Sequence, residues 1–356
     1  MSLRKIIALS FFISIVSGYY TEAAQTKLII KVRNLLYFGS FDSVNKKSNG
    51  LISKYQGVEN GIINPVDNAQ TVLRGAENYL TQKYYPESMR FVYGPAVLDK
   101  EKLINTVNWF ISHYREEMVA GVNLVRLPYD MDLKIYNIKK PWYSGMAQGH
   151  ALIISLAAFD ITGEVKYLEF AHKLAKLLDV PVENGGVKSV TQSGVWFEEY
   201  ADRNRSAAEQ SKVLNGNIFA IDGLFWYCHF NNKSEEYARL LRSSIKALDL
   251  EIVKYKSFFW SYYDQSSPRN YADAGYHSIH IKQLYRVKNF YARVASVNVL
   301  NIDKVADRFS FYQILPFGFA ERLVFQHNEV IVLIFMLNML VIAAILIITN
   351  HLCNHK

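Results

Sequence analysis

Between Val330 and Thr349 the chain reads VIVLIFMLNMLVIAAILIIT, an apolar run without a charge. It is about as long as a bilayer core requires, and nothing else in the sequence limits the fold so sharply. The run predicts a C-terminal transmembrane helix over 330–349, followed by a short tail over 350–356, so the chain is a membrane partner. Asn338 near its middle is costly in lipid unless a neighbouring helix offers a hydrogen bond. Arg322 before the span and Lys356 after it are too few charges to fix orientation. At the other end, residues 1–18 carry Arg4 and Lys5, an apolar stretch from Ile6 to Val16, and small Ser17 and Gly18. That pattern is a secretory signal peptide or an uncleaved signal anchor. Either way the body is exported; a signal peptide followed by the C-terminal span gives the expected topology, single-pass with a lumenal or extracellular body in the secretory pathway. The Asn204-Arg205-Ser206 and Asn232-Lys233-Ser234 sequons fit such a compartment.

The rest of the chain is long enough to bury a sizeable core. Residues 19–64 read as a short β/loop segment, with a strand-like LIIKVRNLLYFGS from Leu28 followed by turn-rich text. From Pro65 to about residue 320 helical patterns follow one another, over Asp67–Tyr84, Lys100–Met118, Ala147–Ile161, Glu164–Asp179, Asn215–Phe230, Glu235–Ile252, Ser278–Ala295 and Asp303–Tyr312. Paired helices joined by aromatic, polar loops predict a mainly α fold, an α/α toroid; an α-solenoid is the rival, although no fixed sequence period supports it.

A formal charge of +8 with pI near 9.1 favours an anionic partner. The Lys and Arg residues are scattered and no nucleic-acid module is present, so no nucleic acid is expected. The 24 Tyr supply faces and hydroxyls that suit carbohydrate as well as cores. Cys228 and Cys353 lie on opposite sides of the apolar span, which excludes a disulfide framework. His277 and His280 have a metal-compatible spacing but no further ligands accompany them, so neither a metal nor another cofactor is expected.

Four loop stretches combine aromatic and polar residues where helices begin or end: Trp142-Tyr143-Ser144 with Gln148, Trp196 to Tyr200, Tyr262-Tyr263-Asp264, and Asp273 to His280. Such loops on a helical scaffold are where sites are built. WYSGMAQG at 142–149, GGVKSV at 185–190, WFEEY at 196–200, LNG at 214–216 and YHSIHIKQL at 276–284 occur in the order seen in the D-glucuronyl C5-epimerases, and the chain resembles that family over roughly Pro65–Asn298. The resemblance implies an α/α toroid that converts D-glucuronate to L-iduronate within heparan sulfate-type polysaccharide. It also implies catalytic roles for Glu199, Tyr276 and Tyr263. The β-rich region that precedes this domain in animal members is reduced here to the segment before Pro65, which leaves a homodimer open.

Where the family has Tyr-Asp-Leu-Arg, this chain has Tyr263-Asp264-Gln265-Ser266, so the substrate-binding Arg is absent from its slot. Arg269, three residues on, is the candidate replacement.

Inverting C5 removes a proton beside a carboxylate and returns one to the opposite face, so two acid/base groups must flank the ring. Glu199 and Tyr276 fill these roles in this reading. Tyr263 and His277 would stabilise the developing enolate. Trp142, Tyr143 and Tyr200 would wall the sugar, and Gln148 and Asn215 would hydrogen-bond to it. A uronate lyase, a hydrolase or an inactive glycan-binding protein on the same scaffold are the alternatives.

Overall fold

The computed structural model describes residues 2–38, 46–48, 51–53, 64–119, 121–232, 234–326 and 328–354. Mainly helical, the chain holds α1 (Leu3–Phe38), α2 (Pro65–Tyr84), α3 (Lys100–His113), α4 (Gly145–Thr162), α5 (Val165–Leu178), α6 (Leu214–Phe230), α7 (Glu235–Glu251), α8 (Ala274–Arg286), α9 (Ala292–Val294), α10 (Leu300–Tyr312), α11 (Phe317–Phe325) and α12 (Glu329–Asn354). A π-helical turn, Val287–Tyr291, joins α8 to α9. Three antiparallel hairpins are small: β1 (Lys46–Ser48) with β2 (Leu51–Ser53), β3 (Arg115–Val119) with β4 (Val122–Arg126), and β5 (Lys188–Thr191) with β6 (Gly194–Phe197).

Local chemistry sets the helix starts. Asn64 caps α2 through the backbone N–H groups of Val66 and Asp67, so the helix begins at Pro65 and Asp67 lies in its first turn. Ser144 caps α4, and Gly163 ends it in the left-handed conformation. Asp273 caps α8 four residues earlier than the apolar pattern suggests, which places Tyr276 and His277 inside its first turn.

Two expectations are corrected. The strand-like Leu28–Phe38 stretch is helical: nothing between Gly18 and Phe38 breaks a helix, and Ile29 packs on the apolar cluster formed with α12. Residues 19–27 of the expected 19–64 β/loop segment are helical with it, and those after Phe38 lie outside the described residues, apart from the β1–β2 hairpin and Asn64. The helix expected to reach Met118 stops at His113, because residues 115–119 pair with 122–126 across a turn whose Gly121 takes φ 81°.

Helices α2, α5 and α6 all pack on α4, and α6 also meets α7 and α8. The α4–α6 contact is a close backbone crossing. A Cβ on Gly149 would come within 2.2 Å of the Phe219 carbonyl, and one on Gly223 within 2.5 Å of Gly149 Cα. Only glycine lets these two helices approach so closely. Their crossing brings the first turns of α4 and α6 side by side, under the segment that follows β6.

Two helical segments among the described residues are long and apolar enough to cross a membrane, Leu3–Glu22 and Glu329–Leu352. They pack against each other, with Phe11 and Phe335 edge to face at 5.3 Å. Asn338 is paired with α1. Gln25 Nε2 donates to Asn338 Oδ1 at 3.0 Å, and Asn338 Nδ2 donates back to Gln25 Oε1 at 3.2 Å. Glu22 receives both Nη groups of the fully buried Arg322, at 2.6 and 2.5 Å, and that guanidinium also lies over the ring of Trp260 at 4.4 Å.

Candidate active site

The segment after β6 is pinned across two helix N-termini. Gly145 N–H donates to the Glu198 carbonyl at 2.8 Å, Phe197 N–H to Asn217 Oδ1 at 2.8 Å, and Ala201 N–H to the Tyr143 carbonyl at 3.1 Å. Glu199 is thereby pressed against the first turn of α6, where a Cβ on Gly216 would lie 2.2 Å from its Oε2. Its side chain is buried, 7% exposed, and Oε2 has no hydrogen-bond partner. Burial pushes its pKa up to about 7, partly opposed by hydrogen bonds from Tyr200 and Tyr263.

Tyr263 connects Glu199 to the cavity. Its backbone is fixed by Leu214 N–H donating to its carbonyl at 3.0 Å and by its own N–H donating to Asn270 O at 2.7 Å. Its hydroxyl lies 3.5 Å from Glu199 Oε1 and 3.2 Å from the Tyr200 hydroxyl. The ring edge meets Tyr276 at 4.8 Å between centroids. Tyr276 is 38% exposed and lines a cavity of about 580 Å³, together with Met146, Asn215 and Phe219 and with residues from α2 and α8. Burial, with Glu199 and Asp273 nearby, pushes the Tyr276 pKa up to about 12. Glu199, Tyr263 and Tyr276 therefore form one cluster with the Tyr263 ring as its middle member, rather than two side chains facing across open space.

The other sequence-predicted residues divide. Asn215 lines the cavity with an unpartnered Oδ1, and its carbonyl accepts from Gln283 Nε2 at 3.0 Å, tying α6 to α8. Tyr200 orients Tyr263 through its hydroxyl and leans on Tyr136 at 4.9 Å. Trp142 is buried, stacks on Tyr129 at 3.9 Å and donates Nε1–H to Met131 O, so it buttresses Tyr200 from behind. Tyr143 borders a separate cavity of about 180 Å³, where Arg126 Nη1 donates to its hydroxyl at 3.3 Å. Gln148 is buried and spends Nε2 on the Val125 and Leu174 carbonyls, a brace rather than a substrate arm. His277 stacks on Trp260 at 3.8 Å with its nitrogens on Ser261 Oγ and Phe309 O, so it faces the core.

Arg269 does not take the place of the missing arginine. Buried Asp264 accepts from the backbone N–H of Ser266 and of Asn270 and from Asn270 Nδ2, closing a loop that ejects residues 267–269 to the surface. There Arg269 donates to the Lys254 carbonyl at 2.9 Å and covers Tyr262.

Sequence reasoning passed over the α2 and α8 wall of the cavity, which includes Arg74, Glu77, Ile279 and Lys282. The signal was the helical spacing of Tyr276, Ile279 and Lys282, which repeats every three residues and places all three on one side. Behind that wall Arg286 Nη1 donates to Glu77 Oε2 at 3.2 Å, both groups buried.

The sequence model of the family described as "D-glucuronyl C5-epimerase C-terminus" matches residues 121–296. An uncharacterized protein of Methanocaldococcus jannaschii is 29% identical over 167 residues, 45% of this chain and 51% of that relative. The D-glucuronyl C5-epimerase of Caenorhabditis elegans is 28% identical over 187 residues, 48% of this chain and 29% of its own length. The chain thus spans about half the length of the first of these curated relatives and under a third of the second.

Proposed function

Because the chain belongs to the D-glucuronyl C5-epimerase family through its C-terminal domain, we propose that it inverts C5 of D-glucuronate residues to L-iduronate within a heparosan- or heparan sulfate-type polysaccharide. In this reading the helices form an α/α toroid held at a membrane by α12, with the body on the lumenal or extracellular face. The observation that carries it is the Glu199–Tyr263–Tyr276 cluster at the edge of a cavity large enough for a ligand of drug size.

The chemistry follows from the two proton affinities. A carboxyl with a pKa near 7 is substantially ionised at neutral pH, so Glu199 accepts the C5 proton, and the C5–H electron pair moves into the substrate carboxylate as an enolate. Tyr276 stays protonated at that pH, and its phenol delivers a proton to C5 on the other face once the bound substrate parts the cluster and the sugar ring lies between the phenol and Glu199. The turnover leaves Glu199 protonated and Tyr276 ionised. Tyr263, in contact with both, returns the proton from the carboxyl to the phenolate through its own hydroxyl and resets the site. The same residues run the reverse reaction with roles exchanged, as inversion in both directions requires.

Donors must offset the second negative charge of the enolate, each contributing on the order of 3 kcal/mol when preorganised. Among the cluster's groups the Tyr263 hydroxyl, beside Glu199 and Tyr200, is the donor in this reading. Incubating the full chain with N-sulfated glucuronate polymer tests the reading. Iduronate ring signals at unchanged chain length support it. An unsaturated product absorbing in the near ultraviolet, or release of reducing ends, would assign the site to a lyase or a hydrolase instead.

A further inference from the structure

The cavity at Tyr276 has a cationic wall that the reaction just described does not use. Arg74 of α2 and Lys282 of α8 both line it, and both side chains are exposed. Among the described residues neither is held in an ion pair, although Arg74 is close enough to Glu77 to pull that carboxyl's pKa down against the effect of burial. The two acids on the lining do not cancel this charge. Glu77 is buried and offset by Arg286, and Asp99, which caps α3 by accepting from the backbone N–H of Lys102, offsets only one of the two cations, so the lining keeps a net positive charge.

The helices place these cations with regularity. On α8, Tyr276, Ile279 and Lys282 share the cavity side, so Lys282 stands about 9 Å along the helix from the reacting phenol. On α2, Gln70, Arg74 and Glu77 do the same from the other bank. Asn215 lies on the same lining, and its buried Oδ1 has no hydrogen-bond partner. With Arg269 outside the cavity, the cations on its lining are these two.

We infer that Arg74 and Lys282 form an oxyanion subsite of the cavity, taking a sulfate or carboxylate of the sugar chain whose uronate is presented to Tyr276. The inference rests on the epimerase reading for the identity of the chain, not for the existence of the subsite. Arginine supplies a planar fork for two oxygens and lysine a mobile point charge, a combination suited to an anion that changes position along a polymer.

The test compares the full wild-type chain with Arg74→Ala, Lys282→Ala and the double variant, on matched N-sulfated and N-acetylated glucuronate polymers. Affinity is read directly at two salt concentrations, and KM and kcat are read from C5 exchange. The subsite predicts that the double variant loses about 10- to 100-fold in affinity at low salt, loses most of its salt dependence, and raises KM more than it lowers kcat. A larger loss on the N-sulfated polymer assigns the anion to the sulfate, and an equal loss on both assigns it to the uronate carboxylate. Unchanged affinity and salt dependence overturn the inference. Salt-dependent binding of wild type without C5 exchange would sink the epimerase reading and leave the subsite standing, whereas normal exchange with indifferent variants would sink the subsite alone.

Discussion

Gly216 makes room for Glu199. A Cβ at position 216 would lie 2.2 Å from Glu199 Oε2 and 2.4 Å from Glu199 Cβ, so the first turn of α6 and the carboxyl share a space that no other residue type would leave free. Alanine is ordinarily the better helix former by about 1 kcal/mol. Gly216→Ala is therefore expected to keep the helical fold by circular dichroism while displacing the carboxyl and lowering kcat at least 100-fold. Full activity in this variant would separate Glu199 from the chemistry.

The pH dependence of turnover has a definite sign. Glu199 acts as base only when ionised, and burial holds its pKa at about 7. The rate should climb with pH through about 7 and flatten above it, staying flat until Tyr276 begins to ionise at much higher pH. A rate that is level from pH 5 to 8 would contradict this assignment.

Neighbouring Glu198 yields a stability prediction. It is fully buried, accepts from Lys212 N–H at 3.0 Å through Oε2, leaves Oε1 unpartnered, and is pushed up to about 7 by burial. An unfolded Glu titrates near 4.3, so both states largely hold the proton at pH 4; between there and about 7 only the unfolded chain gives it up, so stability falls across that window and levels off above it. Glu198→Gln should stabilise the protein by up to about 3 kcal/mol at pH 8 and by little at pH 4, read as the midpoint of thermal unfolding in detergent.

The α1–α11 junction is a buried ion pair, Glu22 with Arg322. Glu22→Met would strand a buried guanidinium and cost roughly 3 kcal/mol or more, and adding Arg322→Met should regain most of that loss. The same full-length chain should keep α1 after expression, which intact mass reads directly; loss of residues 1–18 would remove the Phe11–Phe335 contact from the mature protein and leave Gln25–Asn338 and Glu22–Arg322 in place.

How far the sequence spoke for itself depended on whether local chemistry governed the element. Helix identity from α4 to α7 followed from apolar patterning: α4 and α6 are apolar and buried all round, whereas α5 and α7 bury one face against them. The Leu28–Phe38 stretch misled because branched apolar residues suit a strand in isolation, whereas here Ile29 packs on a long helix. Among the candidate site residues, Glu199, Tyr263, Tyr276, Tyr200 and Asn215 were expected from the motifs, and the structure places them near one another. Trp142, Gln148 and His277 were not separable from them in sequence, since a polar residue at a helix start looks the same whether it faces a cavity or bonds a neighbouring carbonyl. The displacement of Arg269 depends on how Asp264 closes its loop, which no spacing encodes.

The two-sided proton transfer is tested most directly by C5 deuterium incorporation in heavy water, resolved by NMR into glucuronate and iduronate pools, for wild type, Glu199→Gln and Tyr276→Phe. Wild type should place deuterium in both pools. Glu199→Gln should leave glucuronate unlabelled, and Tyr276→Phe should label glucuronate slowly while producing almost no iduronate. Formation of labelled iduronate at wild-type rates by either variant would contradict the account.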